Sequence, residues 1–204
     1  MRRLCVEAPL PFDEAAAWAT PGELAAARTF APARAQEYLA WRAIVRREIG
    51  ADARIAYNAA GAPVVTNFPV RISVSHCRGR VAVALSDRPC ALDIERTDRP
   101  FRPLLHRYLT PAEQALSDHP LFPAVAWCAK ETLYKYAGVP GCDLRRDLCL
   151  DRFRVAPAEE RPAEVPAQGL WGRIEAHLAG AAADAPLTLD FYQEGAFAVV
   201  FLFE

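Results

Sequence analysis

The chain has 204 residues, enough for one large domain or two small ones of about 100 residues each. Hydrophobic residues make up 52% and charged residues 24%, which supports a buried core and excludes wholesale disorder. A net charge of −1 excludes the global basic field of a nucleic-acid binder, so an anionic ligand has to be held by local charge.

Residues 1–11 carry Arg2 and Arg3 ahead of a short apolar stretch broken by Glu7 and Pro9, which does not read as a secretory signal. No run reaches the roughly 18 apolar residues of a membrane span. The six cysteines (Cys5, Cys77, Cys90, Cys128, Cys142 and Cys149) show neither a CxxC pair nor metal-finger spacing. They read as reduced thiols, and the chain as cytoplasmic, with no nucleic-acid or membrane partner.

The Ala-rich segment 14–30 is predicted helical, with Pro21-Gly22 interrupting it. Residues 33–49 form the first strong helix: Tyr38, Trp41, Val45 and Ile49 recur at helical spacing, and Gly50 stands at the C-cap position. Residues 71–75 and 81–85 then alternate as strands joined by a turn at Arg78-Gly79, and residues 90–95 read as a further short strand. A second helix is predicted over 122–137, with Trp127, Leu133 and Tyr136 inside it and Gly138 ending it. A charged, Pro-rich stretch over 151–168 follows, and within it residues 156–168, with Pro157, Pro162 and Pro166, read as a surface loop. Residues 187–192 and 197–203 form a hairpin turning at Glu194-Gly195. Each half thus offers a helix with a central Trp, a Gly stop, a variable connection and a hairpin. That order fits an internal duplication, and it also fits ordinary α+β succession. A boundary near 98–103 divides the chain into subdomains 1–100 and 101–204.

Three segments carry chemistry. In Ala91-Leu92-Asp93-Ile94-Glu95 the carboxylates at i and i+2 share one strand face, opposite Leu92 and Ile94. They suit a hard cation such as Mg²⁺, or else a solvated outer face. In Trp127-Cys128-Ala129-Lys130-Glu131-Thr132-Leu133-Tyr134-Lys135, Trp127, Glu131 and Lys135 form an i, i+4, i+8 stripe with Lys130 on the next row. This is either a third metal oxygen beside an anion-binding lysine or a surface Glu–Lys pair. Composition favours the first reading: of 24 basic residues only Lys130 and Lys135 are lysines. A bland solvated face accepts arginine, whereas a compact ammonium approaching a phosphate is not replaceable by a guanidinium fork. In Ser73-Val74-Ser75-His76-Cys77, Ser75 and His76 offer a hydroxyl and an imidazole to a phosphate, or serve the strand end structurally. No hydrolase triad and no glycine-rich phosphate cradle completes a different site.

Taken in order, Ile72-Ser73-Val74-Ser75-His76, Leu92-Asp93-Ile94-Glu95 and Trp127-x-x-Lys130-Glu131-x-x-x-Lys135 resemble the motifs of the surfactin-synthetase type of 4′-phosphopantetheinyl transferase. Arg34-x-x-Glu37-x-x-Ala40-x-Arg42 is similar to that family's arginine-bearing first helix. The resemblance covers about residues 28–138. Gly61-Ala62-Pro63 stands where the family reads Gly-Lys-Pro, Cys77 replaces the last serine of Ser-His-Ser, and Ala91-Leu92 replaces Gly-Val.

The resemblance implies an α+β pseudo-dimer of two similar subdomains in one chain, each a helix packed on a small antiparallel sheet, acting as a monomer. It implies Mg²⁺ held by Asp93, Glu95 and Glu131. Arg34, Arg42, Ser75, His76, Lys130 and Lys135 would contact coenzyme A. Glu131, Lys135 and Glu113 would take part in catalysis, moving the 4′-phosphopantetheine arm to a serine of an apo acyl or peptidyl carrier protein. The alternatives are a weakened relative that binds coenzyme A or a carrier without efficient transfer, another metal-dependent phosphoryl-transfer or hydrolytic enzyme, and an interaction module.

Overall fold

The computed structural model describes residues 1–180 and 186–204. β1 (Arg2–Glu7) precedes two short helices, α1 (Phe12–Ala16) and α2 (Pro21–Ala27). Pro21 starts a helix here instead of interrupting one. Thr20 caps α2, its hydroxyl accepting from the Glu23 amide while the Glu23 carboxylate accepts from the Thr20 amide. α3 (Pro32–Ile49) likewise starts at a proline and stops at Gly50, whose φ of 138° ends the helical run. β2 (Ile55–Tyr57) and β3 (Pro63–Val65) make a small hairpin, followed by β4 (Arg71–Cys77), β5 (Arg80–Ser86) and β6 (Cys90–Arg96). Two single-turn helices, α4 (Leu105–Tyr108) and α5 (Pro111–Gln114), lead into α6 (Phe122–Ala137), which ends at a left-handed Gly138. β7 (Leu148–Val155), β8 (Trp171–Leu178), β9 (Leu187–Glu194) and β10 (Phe197–Phe203) follow.

The fold is α+β, with helices packed on antiparallel sheets. The first sheet has the order β1-β5-β4 and the second β6-β10-β9-β8-β7. A strand, a long helix and a hairpin thus occur twice, and each time the opening strand pairs antiparallel with the last strand of the hairpin. β6 is laddered to β10, with Asp93 opposite Val200 and Glu95 opposite Ala198, so the sheets divide between Ser86 and Cys90. The charged stretch 151–168 begins in a strand, since β7 runs through Val155, and the segment expected as a loop, 156–168, follows that strand.

β5 is apolar on both faces because both are covered. Val81, Val83 and Leu85 pack under α3 with Trp41, Ile44 and Val45. Ala82 and Ala84 face Leu92, Ile94, Trp171 and Phe201 of the second sheet. Alanines let that sheet come close. The largest core lies beneath α6, where Phe122, Val125, Ala129 and Leu133 meet Leu150, Phe191, Val200 and Leu202.

Candidate active site

The edge strands β4 and β6 lie side by side without a backbone ladder. Side chains bridge them: the Leu92 amide donates to Ser73 Oγ at 3.0 Å and Ser75 Oγ donates to Asp93 Oδ1 at 2.6 Å. Strand alternation sends Leu92 and Ile94 into the core between the sheets and leaves Asp93 and Glu95 on the opposite face, against α6. From α6, Lys135 Nζ donates to Asp93 Oδ1 at 2.8 Å and to the Leu92 carbonyl at 2.9 Å. Glu95 is ion-paired with Arg99, four residues on.

Glu131 lies one turn before Lys135, and among the described residues it has no ion-pair partner. Burial raises its carboxyl above the ordinary range, the Asp93 and Glu95 charges add to that, and Lys135 opposes. Three carboxylates therefore share one electrostatic neighbourhood, with Lys135 and Arg99 as its counter-ions. Among the described residues no three acidic, His or Cys side chains are gathered at metal-ligating spacing, and Asp93 and Glu95 are each paired with one of these cations. The donor set itself fits a hard divalent ion, being all oxygen and mutually repelling.

His76, next along β4, sits between two partners from α3. Its Nε2 accepts from Arg34 at 2.5 Å and its Nδ1 donates to Glu37 at 3.1 Å. Burial is the main cause lowering its basicity, Arg34 and Lys135 act in the same direction and Glu37 and Asp93 oppose, so the neutral ring is favoured, with the proton on Nδ1 because Nε2 accepts from Arg34. Cys77 is no nucleophile: burial and the Glu95 and Asp93 charges push its thiol up to about 12. All six cysteines are free.

A cleft of about 260 Å³ opens beside the cluster. Its lining includes Ala62 and Pro63 of the β2–β3 hairpin, Ile72 and Val74 of β4, and Tyr134 and Lys135 of α6.

The structure thus brings together Asp93, Glu95, Glu131, Lys135, Ser75, His76 and Arg34. Three expected contributors lie elsewhere. Arg42, assigned to coenzyme A, is 2% exposed and fully engaged. It donates to Glu23 at 3.2 Å, the Tyr38 carbonyl at 2.8 Å and the Tyr57 hydroxyl at 2.7 Å, with its guanidinium 3.4 Å from the Tyr38 ring centre. Lys130 is wholly buried and donates to Glu113 and the Leu148 carbonyl. Glu113 also accepts from the Leu150 amide at 2.9 Å and the Thr110 amide at 2.7 Å, so this pair ties α5 and α6 to β7. Neither residue belongs to the carboxylate cluster.

Sequence reasoning missed two members of the site. Arg99 had a signal, standing four residues after Glu95. Glu37 was read only as part of a helix pattern, although its spacing from Arg34 puts both on one face.

None of the curated proteins compared matches the chain. Residues 89–189, in contrast, match the 4′-phosphopantetheinyl transferase superfamily. The match begins one residue before β6 and includes Asp93, Glu95, Glu131 and Lys135, so this chain carries a 4′-phosphopantetheinyl transferase superfamily domain over residues 89–189.

Proposed function

We propose that the protein transfers the 4′-phosphopantetheine arm of coenzyme A to a serine of an apo acyl or peptidyl carrier protein, releasing 3′,5′-adenosine bisphosphate. The observation that carries this reading is the meeting of Asp93, Glu95 and Glu131 with Lys135 at the seam between the two sheets. Asp93, Glu95 and Glu131 would hold Mg²⁺, which supplies charge neutralisation at the diphosphate when bound. Lys135, which lines the cleft, binds phosphate oxygens and stabilises the charge that builds on the leaving group. Glu131, with its raised proton affinity, takes the proton from the attacking serine. His76 and Arg34 bind the phosphate-bearing nucleotide end. The two strand-helix-hairpin units of like connectivity support a pseudo-dimer.

Intact-mass spectrometry of apo carriers incubated with coenzyme A, Mg²⁺ and the protein tests this, and a gain of roughly 340 Da is expected from the transferred arm. A second reading, a weakened relative that binds without efficient transfer, draws on Ala62 and on the commitment of Arg42 to Glu23, which leave fewer cations for the nucleotide. Coenzyme A binding without mass gain on any carrier would select it.

A further inference from the structure

Arg99 is the least anchored of the cations at the carboxylate cluster. Lys135 is held by two acceptors, Asp93 and the Leu92 carbonyl, whereas Arg99 meets Glu95 alone and its side chain is 50% exposed. Its neighbour Arg96 is occupied by Asp98, so the two arginines of this turn divide the two acids between them. The turn itself is fixed: the Thr97 amide donates to the Ala196 carbonyl at 2.8 Å, and Phe101 is buried two residues on. The Arg99 guanidinium lies 5.2 Å from the Phe101 ring centre, a surface that can keep it once Glu95 is withdrawn.

We propose that Arg99 is a positioning residue that serves as an exchangeable counter-ion, occupying Glu95 until a divalent cation claims that carboxylate. The inference rests on the assignment of Asp93, Glu95 and Glu131 as metal donors. Glu95 cannot satisfy the guanidinium and a cation equally, so any affinity for one is subtracted from the other. Because the Arg99 side of the pair is half exposed, its competition amounts to at most about a fivefold factor in affinity. Arg99 therefore sets the cation concentration at which the site fills, and holds the acids apart from one another below it.

The test is calorimetric titration of the purified full chain with Mg²⁺ alone, without coenzyme or carrier. Arg99→Gln is expected to tighten the Mg²⁺ Kd about three- to fivefold. Arg99→Lys, which restores a cation, should return it to the parent value. Arg96→Gln, which removes an equal charge one position from Glu95, should leave it within about twofold. Unchanged or weaker binding by Arg99→Gln, with parental binding intact and abolished by Asp93→Ala, overturns the role of Arg99 while sparing the metal donors. A parent that binds no Mg²⁺ at millimolar concentration, or an Asp93→Ala variant that binds as the parent does, overturns the donor assignment and this inference with it.

Discussion

At the scale of single residues, the two lysines of the chain have opposite fates. Lys130 and Lys135 are five positions apart on α6, which separates them by about 140° around the helix axis. Lys135 faces Asp93 and the cleft, and Lys130 faces Glu113 in the core. Composition pointed to both, and only the surroundings of the helix could sort them. Lys135→Arg keeps the charge, but a planar fork cannot occupy the compact position between Asp93 and the Leu92 carbonyl. In the transfer reaction it should lower kcat at least about tenfold, with a smaller effect on KM. Arg152→Lys, at an exposed pair with Glu175, should change neither constant. Glu131 gives a stability test. Its carboxyl is raised in the folded chain, so folding favours the protonated form: that contribution is full below the ordinary carboxylate range and is lost as pH rises through the raised value. Glu131→Gln should therefore have a higher Tm than the parent at pH 7 without metal, and the gap should close by about pH 4. The same variant should also lack the Mg²⁺-induced rise in Tm expected of the parent if the three carboxylates hold the ion.

At the scale of elements, two buried ion networks hold helices that the site depends on. Glu23 of α2 receives Arg46 through two contacts at 2.7 and 3.0 Å and Arg42 at 3.2 Å, tying α2 to α3. Burial alone would raise the Glu23 carboxyl, but the Arg46 hydrogen bonds and the Thr20 amide hold it below its usual range. Glu23→Gln leaves two buried arginines short of a counter-ion and should cost about 3 kcal/mol in denaturant unfolding. With a depressed folded value the contribution is present above the ordinary carboxylate range, so parent and variant should converge as pH falls below about 4. Lys130→Ala strands Glu113 in the core and should cost a similar amount, about 3 kcal/mol, whereas Lys135→Ala should cost far less, its side chain being 27% exposed. The apolar periodicity and glycine stops of α3 and α6 were plain in the sequence, as were the alternating strands β4, β5 and β6 and the hairpin β9–β10. β7 and β8 were not, because Arg152, Arg154, Arg173 and Glu175 put charge through strands whose ladder partners lie in the same sheet. Nor was the commitment of Arg42, which depends on Glu23 and Tyr57, remote in sequence and on other elements. The D-x-E face of β6 was legible since strand alternation fixes it locally, while its opposing cations depend on how α6 and the turn after β6 fold back.

At the scale of the whole molecule, the distance between the sheets is set by small side chains. Ala82 and Ala84 are fully buried between β5 and the second sheet, against Leu92, Ile94 and Trp171. Ala84→Leu should cost about 2 kcal/mol by overpacking. By pushing β6 away from β4 it should also weaken the Ser75–Asp93 bridge and reduce transfer activity more than Mg²⁺-independent stability, measured side by side by turnover and chemical unfolding. The register of β6 on β10 has a consequence for how the protein comes into being. Asp93 and Glu95 leave the ribosome about a hundred residues before Val200 and Ala198, the partners that fix their strand. Until that last strand emerges, the acids have a side-chain bridge to β4 but no ladder of their own. The nascent chain therefore carries Asp93 and Glu95 without their strand partner through about a hundred residues of synthesis, and their face of β6 is fixed only when the β9–β10 hairpin closes.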